Sequence, residues 1–301
     1  MNRLIPLMRR EWLQHRYGWS MLAGIPLALS LLPLSVGQIQ IGSDDIAEAG
    51  AALLAAGSIA GSAAVIFVIA ACSSLIIVSN LARRDHADRS VEFWLSVPAG
   101  HAESFAAPLI VHLLLVPAAA LAIGMLGGYA VSFIVVSRLV DSAAWFGLPW
   151  GHIAVASFSL MLRVLAGLPL AVLWLSPLIL LVVLLTAWFR RWGWVILTVG
   201  LGLGSTLLKL VFGQPWLNRI SGELIKASAR SLISGNPGDH AFTKAVEGID
   251  ALTVFPAWAL GDFGAALQAL ATPLFPGALL FAAGCFFLLV QWRQRGAGAA
   301  G

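Results

Sequence analysis

Long apolar runs, separated by short polar or glycine-bearing intervals, dominate this 301-residue chain. Six of them approach or exceed the roughly 20 residues a helix needs to cross about 30 Å of hydrocarbon. They are about Trp19 to Val36, within Ala51 to Ser79, within Ala106 to Val136, about Leu168 to Trp188, about Trp194 to Val211 and about Leu274 to Trp292. None shows the alternation over about ten residues that marks a membrane β-strand. The pattern predicts an all-α polytopic membrane protein with six transmembrane helices.

Three pieces do not fit a span. Residues 2–17, NRLIPLMRREWLQHRY, place Leu4, Ile5, Met8 and Trp12 at helical spacing, with Arg3 and Arg10 away from them. A basic helix with one apolar face suits the membrane interface, so 1–17 is expected as an interfacial helix. Arg3, Arg9, Arg10 and Trp12 would be its membrane-facing residues; an ordinary basic flank is the simpler alternative. Residues 80–104 hold the most charged stretch, RRDHADRSVEFWLSVPAGHAES. There Asp88 or Ser90 caps a short helix, Val91, Phe93, Trp94 and Val97 give it an apolar face, and Pro98 stops it. Two turns are unstable alone in water, so the helix is expected to dock. Residues 213–273 are expected outside the membrane, with GELIKASARSLI and TKAVEGIDAL as amphipathic helices flanking the GNPGD turn. Leu252 to Leu260 is apolar enough to re-enter the bilayer or to pack as a surface subdomain.

Charge orients the spans. Arg3, Arg9, Arg10 and Arg16, then Arg83, Arg84 and Arg89, then Arg190 and Arg191, then Arg293 and Arg295 fall in short flanks on one side. Arg138, Arg163, Arg219, Lys226, Arg230 and Lys244 fall on the other, diluted over longer segments. Dense basic flanks stay cytoplasmic, which puts both termini and Arg83–Ser104 inside. The net charge of +4 follows from this topology, and no nucleic-acid partner is inferred from it. Trp188, Trp192, Trp194 and Trp292 fall at the inner border and Trp145 and Trp150 near the outer one, the depth tryptophan favours. Trp174 is mid-span and expected to pack.

Several chemistries lack their residues. No G-x-x-x-x-G-K-[ST] phosphate loop occurs, since Lys209, Lys226 and Lys244 do not follow glycine. No H-E-x-x-H pair or nucleophile elbow occurs. Cys72 and Cys285 lie in apolar runs without ligand-spaced partners, so no metal site is expected. The expected spans hold almost no ionisable group besides Lys209, which argues against a proton-driven carrier. Gly124-x3-Gly128 and Gly200-x-Gly202-x-Gly204, like Gly57-x3-Gly61, put small residues on one helix face, where backbones can approach. Gly124, Gly128, Gly200 and Gly204 are accordingly expected at helix contacts within or between chains.

The basic N-terminal helix, the RRDxxDRSVEFWLSVPAGHAES loop after the second span, and the long outer segment before the last span resemble the permease subunit of a bacterial ABC transporter of the ABC-2 type. The chain departs from many members in lacking a lysine soon after this motif, where it reads SFAAPL. The resemblance implies one transmembrane domain over 1–301 in the inner (plasma) membrane. It implies a coupling helix between spans 2 and 3 that seats in a separate ATP-binding subunit, which binds the ATP and Mg. Phe93 and Trp94 would anchor it; Arg83, Arg84, Asp85, Asp88, Arg89, Ser90 and Glu92 would set register, with Val97 on the apolar face. A second permease copy, in a homodimer or heterodimer, is also implied. The chain itself is expected to hold no cofactor and to be no enzyme. The function implied is ATP-driven export, of an amphiphilic peptide, antibiotic or lipid. A six-span scaffold or sensor recruiting a cytoplasmic partner is the alternative.

Overall fold

The computed structural model describes residues 4–36, 43–81, 100–234 and 249–298. These are helical almost throughout, with no strand among them. Six helical stretches are long and apolar enough to cross a membrane: Gly50–Ser79, Ala102–Leu139, Trp150–Phe189, Gly193–Phe212, Leu252–Ala271 and Leu274–Gln294. The protein is an all-helical, multi-pass membrane protein. Five expected spans lie inside these stretches. The remaining stretch, Leu252–Ala271, includes the segment the sequence assigns to re-entry or a surface subdomain, and the expected first span lies in a helix of its own.

That helix, α1, runs unbroken over Leu4–Val36, so residues 4–17 continue straight into 19–36. Helix α2 covers Ser43–Ser79 and kinks at Gly50, whose φ of 68° favours glycine. A continuous rod follows: α3 (His101–Ile110), one π-turn (Val111–Leu115) and α4 (Val116–Leu139). The π-turn is closed by the Val116 N–H donating to the Val111 carbonyl. It lies between Pro108 in α3 and Pro117 at the start of α4, both without a backbone donor. Then come α5 (Ser142–Phe146), the 40-residue α6 (Trp150–Phe189), α7 (Gly193–Phe212), α8 (Trp216–Leu232), α9 (Ile249–Gln268) and α10 (Leu274–Gly298).

Small residues set the closest contact. A Cβ on Gly124 would lie 2.9 Å from the Ala63 Cα, and one on Gly128 would lie 2.7 Å from the Ile59 Cα, so α4 lies backbone to backbone against antiparallel α2. Helix α1 runs beside α3–α4 in the same direction: Glu11 meets His112, Ala23 clusters with Val116 and Ala120, and Leu27 fills the space beside Gly127.

Helices α9 and α10 both run parallel to α6, one after the other. Asp262 of α9 meets Arg163, Phe275 of α10 stacks at 4.9 Å on Trp174, and Leu289 shares a core cluster with Val183 and Leu184. Helix α6 is about 60 Å long at 1.5 Å per residue, against about 30 Å of hydrocarbon. Two helices stacked end to end run along it, separated by the turn Ala269–Ala271 and Pro273. The Arg293 guanidinium lies 5.2 Å above the Phe105 ring at the start of α3. The end of α10, the start of α1, the end of α2 and the start of α3 therefore share one end of the bundle. Trp145 and Trp150 stack at 4.6 Å toward the other end.

One expectation needs correction. Arg163, assigned to an outer loop, lies within α6 with its side chain fully buried; the apolar sequence around it simply continues the helix. Gly200, expected at a helix contact within or between chains, has nothing of its own chain within 4 Å of a notional Cβ. Gly204 does meet a neighbour, Leu217 of α8. GELIKASARSLI forms part of α8, with Leu224, Ser228 and Ser231 buried, and Trp174 is buried against Leu224 and Ala278.

The α2–α4 contact makes a test. Gly128→Leu should destabilise the protein by about 1–3 kcal/mol through overpacking against helix backbone, seen as a lower unfolding midpoint in detergent. Gly200→Leu, facing open space, should leave the midpoint nearly unchanged.

Candidate functional site

An apolar cleft of about 310 Å³ opens between α2, α4, α6, the end of α8 and α9. Alanine and glycine at positions 56, 57 and 60 create the space on the α2 side, because their side chains stop short of the helix opposite. Met125, Leu160 and Phe255 close other parts of the wall. The volume lies at the lower end of small-molecule sites. No charged side chain lines it.

A buried polar node stands just behind this wall and holds three helices in place. The Arg163 Nε donates to the Asp262 Oδ2 at 2.7 Å, and Nη2 lies 2.7 Å from the same oxygen. Nη1 donates to the Ser231 carbonyl at 2.8 Å. That carbonyl is in the last turn of α8, where helix carbonyls lack intrahelical partners and a cation is favoured. Asp262 also accepts from the Ser234 N–H, at 3.1 Å on Oδ2, and from the Ser234 hydroxyl on Oδ1. The two charged side chains are 0% and 1% exposed. Gly167 makes room for the node: a Cβ there would lie 2.0 Å from the Ser231 carbonyl oxygen. The pair thus ties α6 to the end of α8 and to α9, and Leu232, Ile233 and Phe255 beside it line the cleft.

A second polar cluster lies near the other end of the bundle. Helix α1 supplies Glu11 and His15, and the π-turn supplies His112.

The sequence reading missed both clusters. It found no ionisable residue of note in the spans besides Lys209, which is exposed on α7. Arg163 and Asp262 are far apart in sequence, so no local motif joins them. Glu11-x3-His15 is a helix-face spacing that was legible, whereas His112 sits alone in an apolar run. The docking-helix residues Arg83, Arg84, Asp85, Asp88, Arg89, Ser90, Glu92, Phe93, Trp94 and Val97 lie outside the described residues, as does Arg3. Arg9 and Trp12 are exposed on α1, and Arg10 is partly exposed beside Glu11 at 3.5 Å.

No protein-family profile, curated protein or solved structure matches this chain.

Removing one member of the buried pair leaves the other charge uncompensated. Arg163→Ala or Asp262→Ala should each cost about 3–5 kcal/mol, measured as loss of the folded fraction in detergent. The double change Arg163→Met/Asp262→Leu should recover much of that stability, because it removes both charges at similar volume.

Proposed function

We propose that this chain is the transmembrane permease subunit of an ATP-driven exporter of the ABC-2 type, working as a dimer with separate ATP-binding subunits. The observation that carries the reading is the apolar cleft between the helices. It suits the apolar part of an amphiphilic peptide, antibiotic or lipid and gives a small ion no ligand. The Arg83–Ser104 segment supports it through its resemblance to the coupling loop of that family, and the lack of a phosphate loop in the sequence is in keeping with a partner that binds ATP and Mg. In this reading both termini and Arg83–Ser104 are cytoplasmic, by the arginine bias. Arg9, Arg10 and Trp12 then face lipid headgroups, and the membrane is the bacterial inner membrane.

The mechanism follows from how the cleft is built. Its walls belong to α2 and α4 on one side and to α6 and α9 on the other. The second group is braced by Arg163 and Asp262, so it moves as one piece. The coupling segment follows directly on α2. A push by the ATP-binding subunit on that segment would reach α2, and the close contacts at Gly124 and Gly128 would carry α4 with it. Relative motion of the two groups would open or close the cleft.

Filling the cleft tests this. Gly57 has nothing within 4 Å of a notional Cβ, so Gly57→Phe should be accommodated and should obstruct the cleft. Export should fall at least about 10-fold, with membrane insertion and the unfolding midpoint preserved. Export unchanged in a folded Gly57→Phe protein would remove the cleft from the pathway.

The energy source has its own test. The purified chain should hydrolyse no ATP, and hydrolysis should require the separate ATP-binding subunit. Phe93→Ala/Trp94→Ala should weaken that association by about 30-fold, as truncated interface anchors of about 2 kcal/mol do, measured by co-purification. Wild-type retention of the partner together with wild-type export would refute the coupling assignment.

A further inference from the structure

The cluster of Glu11, His15 and His112 brings together a donor set of the kind that holds a cation. Glu11 and His15 are one helical turn apart on α1 and present their donors on the same face. The π-turn of the facing rod contributes His112. One donor atom from each of the three lies within 4.8 Å of the other two. The His15 and His112 ring centroids are 5.4 Å apart, and the His112 Nε2 is 3.6 Å from the Glu11 Oε2. Glu11 is 3% exposed and His112 0%.

His112 is the telling group. Neither of its ring nitrogens has a hydrogen-bond partner among the described residues, although the ring is fully buried. Burying a polar group without a partner is costly, and nearly all such groups are satisfied in folded proteins. Val111, His112 and Leu113 are buried in succession, which the wide π-turn allows; such turns occur frequently at functional sites. Trp19 covers the ring at 5.2 Å between centroids.

We propose that Glu11, His15 and His112 bind a divalent transition-metal ion, of the zinc class, that clips α1 to the α3–α4 rod. Two imidazoles and one carboxylate are a donor set for borderline-soft divalent ions, whereas calcium and magnesium take oxygen ligands. Zinc ligates nitrogen at about 2.0–2.1 Å, so the three donors must draw in toward a common centre by small side-chain rotations, with a fourth position left for water. Arg10 lies 3.5 Å from the Glu11 Oε1 and is 33% exposed; it turns outward to solvent as the cation enters, while Oε2 faces the site. The site does not depend on the export reading.

The test uses the full chain, purified in detergent on a tag without histidine and stripped with chelator. Co²⁺ titration should give visible d–d absorption saturating at one ion per chain, and Zn²⁺ should displace it and raise the unfolding midpoint. His15→Ala and Glu11→Gln should each weaken Co²⁺ binding at least about 10-fold, the scale on which even supporting residues of metal sites act. These two variants keep the fully buried His112, so they are the ones expected to fold. His112→Ala should abolish the absorption if it folds. Absence of saturable Co²⁺ binding, or equal binding by wild type and both α1 variants, would overturn the site and leave an ion pair between Glu11 and a protonated His112.

Discussion

A charge deep among helices has to be neutralised where it stands, and the Arg163–Asp262 pair shows how much structure that constraint organises. One guanidinium reaches Asp262 on α9 and the Ser231 carbonyl at the end of α8, and the same carboxylate holds the backbone at Ser234. Each of these groups would be expensive to bury alone. Together they fix where α8 ends and where α9 lies along α6. The glycine at 167 belongs to the same arrangement, since any side chain there would displace the Ser231 carbonyl from Arg163.

The other half of the bundle is held in the opposite way. Between α2 and α4 the contact is made by absence of side chains, with helix backbones in touch at Gly124 and Gly128. Lipid is as apolar as the helix surfaces, so close van der Waals contact replaces hydrophobic burial as the cohesive force. A polar brace on one side of the cleft and bare backbone contact on the other give its walls different characters. The braced wall resists separation because parting would strand charges. The close-packed wall resists it through contact alone.

The apolar runs made the helices legible, because span length and hydropathy are local properties. What the sequence hid was everything set by pairing across the chain. The run around Arg163 reads as a loop carrying a charge until Asp262 is brought to it. Leu252 to Leu260 reads as a re-entrant piece or part of a surface subdomain, and the place of the helix that holds it, end to end with α10 along α6, is a fact about α6 as much as about α9. Of the two small-residue pairs proposed at contacts, Gly124 and Gly128 sit against a neighbour, whereas Gly200 does not and Gly204 touches only Leu217. Glycine spacing alone does not say which face meets a helix and which meets lipid. His112 was invisible for the same reason, a single histidine in an apolar run whose companions come from α1.

The π-turn at Val111–Leu115 has a geometric effect of its own. An α-helix advances about 100° per residue, and a π-turn takes up one residue more than an α-turn does. The rod from His101 to Leu139 is therefore two segments out of phase by about that angle, joined without a bend large enough to separate them. The turn itself presents the His112 imidazole toward α1, and the segment after it presents Gly124 and Gly128 to α2. In a regular helix those two bearings would be locked to each other by sequence position. The extra residue acts as a rotary offset, turning the faces of α3 relative to those of α4 by about that angle.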